Sequence, residues 1–163
     1  RDFARNIATL IMALSFLTRM GTRLKPCTCP RPEPVAVLDH ISLGVRDLAA
    51  SGAFYDAALA PLGYARVVEK GIGYAYGPGP GREGMMFWIV QPDAEITPSR
   101  GSHVGFTAPD PNAVDAFHAA AMAAGARDNG APGLRPEYSE TYYGAFALDP
   151  DGHKIKAMCR SAV

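Results

Sequence analysis

The sequence has no surplus of charge of either sign and no hydrophobic run long enough to cross a membrane. Its 163 residues contain 16 Lys and Arg and 16 Asp and Glu, so the formal net charge at pH 7 is zero. Without a basic surplus the chain has no overall field that attracts nucleic acid phosphates. The apolar run over residues 6–17 is about 12 residues long, whereas a membrane span needs about 20. We therefore expect neither nucleic acid nor a membrane as a partner.

Cysteine is also scarce, with three residues in the chain, Cys27, Cys29 and Cys159. An odd number of cysteines argues against a disulfide framework. The first two form C-x-C rather than C-x-x-C, and no second pair follows, so a zinc ribbon is not indicated. We expect reduced thiols in a cytoplasmic protein.

Residues 1–34 differ from the rest of the chain. An apolar segment flanked by arginines is typical of a targeting peptide, but Thr18-Arg19-Met20 follows where a small, neutral cleavage site would be expected. Four prolines between Lys25 and Pro34 prevent regular structure and indicate a linker. We expect residues 1–34 to be an extension outside the folded domain. A targeting segment and a packed accessory helix are the second and third alternatives.

The remainder of the chain contains one pattern twice, at an offset of 63 residues (His40 to His103). The match continues without a gap through Asp47 and Asp110 into the segments that follow them. A shared period of this length indicates two copies of one supersecondary unit. Each unit is too small to bury a core alone, so the two should pack together and leave a ligand cleft between them.

Each copy reads as a strand, a helix and three further strands. Asp47 and Asp110 stand where they would cap the two helices. The other histidines, His118 and His153, fall on the second helix and in the last turn, and we expect both at the surface. The predicted strands cover 35–45, 64–70, 74–76, 85–90, 102–108, an irregular stretch within 126–138, 143–148 and 154–159, and the helices cover 48–59 and 111–125.

Five segments carry a resemblance to a known family: residues 38–48 (LDHISLGVRDL), 54–56 (FYD), 62–64 (LGY), 102–106 (SHVGF) and, most diagnostic, 149–155 (DPDGHKI). They resemble the vicinal oxygen chelate superfamily, which includes glyoxalase I, extradiol dioxygenases, and bleomycin and fosfomycin resistance proteins. The resemblance covers residues 35–160. It implies an α+β fold in which two βαβββ modules, 35–98 and 99–163, form a curved mixed sheet around a central cup.

The same resemblance implies a small-molecule ligand in that cup. Two functions follow from it. One is lyase, isomerase or dioxygenase chemistry assisted by a divalent ion that chelates vicinal oxygens of the substrate. The alternative is a metal-independent protein that sequesters its ligand, as in the bleomycin-resistance branch. A homodimer is left open.

The resemblance also locates the metal ligands. In metal-binding members the first strand of each module offers a histidine or a similar ligand, and the last strand offers a carboxylate. Here the first-strand positions are His40 and His103, and the last-strand positions are Trp88 and Lys156. A divalent ion needs three or more nitrogen or oxygen ligands, so this set is incomplete. Zn, Ni, Fe or Mn is expected only if another carboxylate completes it, and otherwise no cofactor is expected.

Catalytic candidates are Lys156, Glu137 and Glu140. Lys156 in a cleft could bind an anion or act as a general base, and the alternative is a lysine that reaches solvent. The two glutamates lie in a loop that, in this fold, can reach over the cup. The ligand-contacting candidates are aromatic or cationic, with core packing or a solvated rim as the alternative: Phe87, Trp88, Arg100, Arg135, Tyr142, Tyr143 and Lys156.

Overall fold

The computed structural model describes residues 38–78 and 86–160, which form two four-stranded sheets with one α-helix packed against each. The predicted extension over residues 1–34 lies outside the described residues. The predicted α+β fold with paired modules is confirmed. The first sheet and its helix comprise β1 (Ile41–Gly44), α1 (Leu48–Leu59), a 3-10 turn (Ala60–Leu62), β2 (Tyr64–Lys70), β3 (Gly73–Pro78) and β4 (Phe87–Val90). The second set comprises β5 (His103–Thr107), α2 (Pro111–Ala123), β6 (Arg127–Leu134), β7 (Tyr143–Leu148) and β8 (Lys154–Cys159).

The two sheets have the same strand order, β1-β4-β3-β2 and β5-β8-β7-β6. In each, the first and last strands pair in parallel and the other neighbours pair antiparallel. The register places Ser42 opposite Trp88 and Gly105 opposite Lys156. Ser42 and Gly105 are equivalent in the repeat, so Trp88 and Lys156 are equivalent as well.

Both α-helices begin at an aspartate, as the sequence predicts. The side chain of Asp47 accepts a hydrogen bond from the Ala50 amide, and that of Asp110 accepts one from the Ala113 amide, each at 2.9 Å. An N-cap of this kind stabilises a helix by about 1 kcal/mol. Equivalent aspartates therefore start equivalent helices in the two modules.

One continuous core lies between the helices and sheets of both modules. Phe54 and Phe117, which match in the repeat, are buried in it. Phe106 of the second sheet meets Phe87 of the first edge-on, with ring centroids 5.2 Å apart and planes at 89°. It also meets Tyr64, at 5.7 Å and 74°. Such edge-to-face pairs add to the stabilisation from burial, so the two modules are held by a common interior.

The turn between β7 and β8 ties the second module to the first through Asp149. This carboxylate is 2% exposed and accepts a hydrogen bond from the Tyr55 hydroxyl of α1 at 2.6 Å. It also accepts from the backbone amides of Asp151 and His153, at 3.0 and 2.8 Å. A buried carboxylate is tolerated when it is satisfied in this way, so Asp149 both shapes its own turn and anchors α1.

Asp151 and His153, in the same turn as Asp149, also contact the first module. Asp151 accepts hydrogen bonds from Arg46 Nε at 2.6 Å and from the Ser51 hydroxyl at 3.2 Å. The Nε2 atom of His153 lies 2.7 Å from the Gly44 carbonyl oxygen. The expectation that His153 lies at the surface is therefore wrong, because its ring is partly buried against the end of β1.

The buried Tyr55 hydroxyl should make stability depend on alkaline pH. Burial raises the pKa of Tyr55 well above its ordinary value, and the neighbouring Asp149 charge raises it further. Because the folded-state pKa is the higher one, this contribution is complete below pH 10 and is lost as the pH rises further. The free energy of unfolding should then fall by about 1.4 kcal/mol per pH unit for each such tyrosine.

Urea unfolding between neutral pH and about pH 11 measures this slope. The pKa of Tyr76 is also raised by burial, so part of the slope should remain in a Tyr55→Phe variant. The variant should show a clearly shallower decline than the wild type. Identical slopes would contradict the assignment to Tyr55.

Candidate functional site

A cleft of about 440 Å³ opens on the face of the second sheet that is turned away from the core; we call it the Lys156 cleft. Side chains alternate along β8, so Ile155 and Ala157 enter the core while their neighbours point to the opposite face. The cleft is lined by Gly105, Tyr138, Tyr142, Lys156, Met158 and Arg160.

The ammonium group of Lys156 lies among three aromatic rings. Its Nζ atom is 5.7 Å from the ring centroid of Tyr138, and 5.8 Å from those of Tyr142 and Phe146. These distances are within the range of a cation–π contact, about 6 Å. The rings hold the charge without neutralising it, and Lys156 forms no ion pair with any residue that the structure describes.

Gly105 leaves room for this lysine. A Cβ atom at position 105 would lie 2.9 Å from Lys156 Cε and 3.5 Å from its Cγ. Real Cβ atoms do not approach other atoms this closely, so a larger residue at position 105 would displace the flexible end of the lysine side chain. Glycine therefore leaves space for the present position of the lysine, and its backbone is not in the left-handed region.

Further cations surround the same rings. The Arg160 guanidinium carbon lies 5.9 Å from the Tyr142 centroid, and that of Arg135 lies 5.7 Å from the Phe146 centroid. Lys154 Nζ is 4.8 Å from the Phe146 centroid. Across residues 38–78 and 86–160, none of these side chains forms an ion pair. This face of the second sheet therefore has a positive potential that attracts anions.

The structure brings Tyr142 and Lys156, two of the predicted ligand-contacting residues, into one cleft. It places Phe87 elsewhere. Phe87 is 2% exposed and packs against Tyr55 and Tyr76 in the core. Because side chains alternate along a strand, β4 turns Trp88 to the open face and Phe87 away from it. Phe87 is therefore a core residue outside the lining of the Lys156 cleft, and its contact with a ligand stays a prediction.

The remaining predicted contacts lie outside the lining of the Lys156 cleft. Trp88 is partly exposed on the first sheet, and Arg100 is exposed in the turn before β5. Tyr143 donates a hydrogen bond from its hydroxyl to Asp115 on α2 at 2.8 Å, so its ring faces the helix. Arg135 reaches the Ala131 carbonyl with Nη2 at 2.7 Å and lies beside the cleft.

The histidines predicted as metal ligands occupy the starts of the two modules. His40 stands directly before β1, with its Nδ1 atom 2.5 Å from Asp39 Oδ1. His103 is an exposed residue of β5, with its Nδ1 atom 3.4 Å from the Gly101 carbonyl oxygen. Among residues 38–78 and 86–160, neither ring belongs to a group of ligand side chains that could hold a metal ion.

The donor set does not fit a divalent metal ion. In the part of the chain that the structure describes, no three His, Cys, Asp or Glu side chains are grouped so as to hold one. Glu137 and Glu140 are exposed loop residues and do not complete a set with the histidines. At the last-strand position of the second module stands Lys156, whose charge repels a cation.

A second cleft of about 290 Å³ shares Met158 and Arg160 with the first. Cys159, which contributes to its lining, is a free thiol with 3% exposure. Cys27 and Cys29 lie outside the described residues.

Sequence reasoning missed four residues of the Lys156 cleft. Met158 shares the parity of Lys156 along β8, Arg160 continues that parity directly after the strand, and Gly105 is the repeat equivalent of Ser42. Strand alternation and the repeat could therefore have identified all three. Tyr138 lies in the loop between β6 and β7, where no periodic pattern indicates its direction.

Two βαβββ modules that share one core and carry a small-molecule-sized cleft on an open sheet face define a paired-module α+β protein. Residues 37–157 match the model of the Glyoxalase/Bleomycin resistance protein/Dioxygenase superfamily. The chain belongs to this superfamily, and the predicted family is confirmed.

Solved structures agree with this assignment. A glyoxalase/bleomycin resistance protein from Albidiferax ferrireducens is 37% identical, with a TM-score of 0.68 over 76% of this chain and 98% of that one. A glyoxalase/bleomycin resistance protein/dioxygenase family enzyme from Burkholderia phytofirmans is 21% identical, with a TM-score of 0.59 over 76% and 98%. A glyoxalase-related enzyme from Fulvimarina pelagi is 18% identical, with a TM-score of 0.59 over 76% and 88%. The last two show the fold alone.

Among curated proteins, none matches the chain significantly. Within the described residues, no helix combines the length and the apolar character that crossing a membrane requires.

Proposed function

We propose that this protein binds a small organic molecule in the Lys156 cleft without a resident divalent metal ion. The observation that carries the proposal is the ammonium of Lys156, held by aromatic rings at the position where metal-binding relatives are expected to place a carboxylate. An ammonium repels a divalent cation and attracts the oxygen atoms that such a cation would otherwise bind. The cleft volume of about 440 Å³ lies within the range of small-molecule sites.

The chemistry of the lining favours ligand capture over catalysis. The described lining residues offer two cations, two phenol rings and a thioether. None of them is a carboxylate or an imidazole, the groups that most often transfer protons in enzymes. Glu137 and Glu140, the carboxylates proposed from the sequence, do not line this cleft. These features support metal-independent sequestration over a lyase, isomerase or dioxygenase reaction.

A metal-assisted reaction is the second candidate. It is favoured by the symmetric placement of His40 and His103 at the start of the two modules. Two imidazoles alone hold a divalent ion weakly, because a stable site needs at least one further ligand. The two candidates therefore differ in metal affinity, which can be measured directly.

Metal analysis separates them. After treatment with a chelator and dialysis, the protein should carry no stoichiometric Fe, Mn, Ni or Zn. Titration with Zn(II) or Ni(II) should give a Kd no tighter than about micromolar, or about −8.2 kcal/mol. A retained stoichiometric ion that is lost in a His40→Ala and His103→Ala double variant, but kept in a His118→Ala control, would contradict the proposal.

Ligand binding at the cleft can be tested without knowing the natural ligand. A screen of small organic fragments by amide NMR should produce shifts that cluster at Gly105 and Met158. The same fragments should lose this pattern in a Gly105→Leu variant, whose side chain enters the space of Lys156. Shifts that are absent, or scattered over both sheets, would argue against a binding site here.

A further inference from the structure

We infer that the ligand of the Lys156 cleft is a planar aromatic oxyanion, with its charged group at Lys156 and Arg160 and its flat part on the ring of Tyr138. The inference rests on the proposed function, because it names the ligand class of the same cleft. It adds a charge and a shape that a general small-molecule site does not require.

The negative charge expected of the ligand follows from which cationic side chains of the protein already form ion pairs. Arg46 and Arg66, in the first module, each form an ion pair with an aspartate of this chain. Lys156 and Arg160 line a cleft and form no ion pair within the described residues. Neighbouring positive charges without counter-charges repel each other, and an anion relieves that repulsion. A guanidinium and an ammonium together match a carboxylate or a phosphate group.

The planar shape expected of the ligand follows from the aromatic side chains of the cleft. Tyr138 is 60% exposed, a large ring left open at the cleft, whereas Tyr142 is 5% exposed and supports it from 5.0 Å at 53°. An open ring face beside a cleft favours a flat partner, because stacked aromatic surfaces gain more than their buried area alone provides. Tyr138 is therefore the stacking surface and Tyr142 its support.

The cations and the open tyrosine ring border the same cleft. Lys156 Nζ and the Arg160 guanidinium carbon lie 5.8 and 5.9 Å from the centroid of the same Tyr142 ring. Lys156 Nζ is also 5.7 Å from the Tyr138 centroid. An oxyanion bound at Lys156, with Arg160 lining the same cleft, places an attached ring system beside Tyr138. A cationic ligand would be repelled, and a neutral one would leave the two charges unmatched.

Four probes test charge and shape separately by isothermal titration calorimetry. Naphthoate is a planar anion, naphthamide is its neutral isostere, decahydronaphthoate is an anion without a flat ring system, and naphthyl phosphate replaces the carboxylate. Naphthoate should bind at least about tenfold more tightly than naphthamide and decahydronaphthoate, a difference of about 1.4 kcal/mol. The ratio between naphthoate and naphthyl phosphate then tells which oxyanion the cleft prefers.

Variants assign the effect to the cleft. Lys156→Met keeps most of the length of the side chain and removes its charge, and it should weaken naphthoate at least about tenfold while leaving naphthamide unchanged. Gly105→Ala retains the charge but displaces it, and it should weaken naphthoate as well. Lys70→Met is the matched control, since Lys70 is an exposed lysine on the other sheet. Circular dichroism confirms that each variant is folded.

Equal affinity for naphthoate and naphthamide, with both weakened by Tyr138→Ala, would overturn the anion requirement and leave the proposed function standing. Equal affinity for naphthoate and decahydronaphthoate would overturn the requirement for a planar ring system and would also leave the proposed function standing. Failure of all four probes to bind at several millimolar would overturn the whole inference. The proposed function fails with it only if the fragment screen also finds no ligand in the cleft.

Discussion

Replacing Asp149 by alanine should destabilise the protein by about 4 kcal/mol, because it removes a buried, fully hydrogen-bonded carboxylate. Asp149 accepts three hydrogen bonds, from the Tyr55 hydroxyl and from the amides of Asp151 and His153. The Tyr55 hydroxyl would be left without its partner in the core, since Tyr55 has no solvent exposure. Burying an unpaired polar group costs about 1–3 kcal/mol, and the turn loses two further bonds.

Urea unfolding at neutral pH measures this loss. Tyr55→Phe removes one of the three hydrogen bonds and keeps the ring, so it should cost about 1–2 kcal/mol. Asp93→Ala changes an exposed aspartate and should remain within about 0.5 kcal/mol of the wild type. If Asp149→Ala costs no more than Tyr55→Phe, the turn contributes little and the argument for Asp149 is wrong.

Replacing Lys156 by glutamate should convert the cleft from an anion site into a cation site. The substitution puts a carboxylate at the last-strand position of the second module, where the family resemblance places a metal ligand. Together with His40 and His103 it supplies the minimum set for a divalent ion. We expect affinity for Zn(II) or Ni(II) to rise at least about tenfold, or about 1.4 kcal/mol, and naphthoate binding to disappear.

Two matched variants show whether the new carboxylate acts as a ligand. Lys156→Gln removes the repulsive charge without adding a carboxylate, so its affinity for Zn(II) or Ni(II) should rise less than that of Lys156→Glu. Lys154→Glu adds the same charge two residues away on the same face of β8 and tests the general electrostatic field. Equal rises in metal affinity in Lys154→Glu and Lys156→Glu would show that the added negative charge, rather than direct coordination at position 156, accounts for the change. No gain in Lys156→Glu would mean that the histidines and position 156 do not meet.

Most of the fold could be predicted from the sequence because its signals are local. The strands predicted over Tyr143–Leu148 and Lys154–Cys159, and the caps Asp47 and Asp110, form as expected. The strand β6 (Arg127–Leu134) was predicted only as irregular. Its pairing with β7 shifts on both sides of Gly130, whose φ is 143°. Such bulges remove the two-residue periodicity on which strand prediction depends.

The site could be predicted only in part, because it depends on which way side chains face. The run Met85–Val90 is apolar throughout, so nothing in it distinguishes Phe87 from Trp88, and the register with β1 was needed. The position of His153 in the last turn predicts an exposed side chain. The Gly44 carbonyl that His153 contacts is 109 residues away in the sequence, and no local sequence pattern predicts such a contact.

The turn between β7 and β8 also sets the order in which the chain can fold on the ribosome. Tyr55 and Arg46 belong to the first module, but their partners Asp149 and Asp151 follow 94 and 105 residues later in the chain. When the first module has emerged, the hydroxyl of Tyr55 still lacks its acceptor, and Phe87 lacks the Phe106 ring that covers it. Contacts of such long sequence separation form late and slow the folding of a chain. The nascent first module should therefore stay labile until the turn between β7 and β8 has emerged, and the two repeats should then fold in one cooperative step.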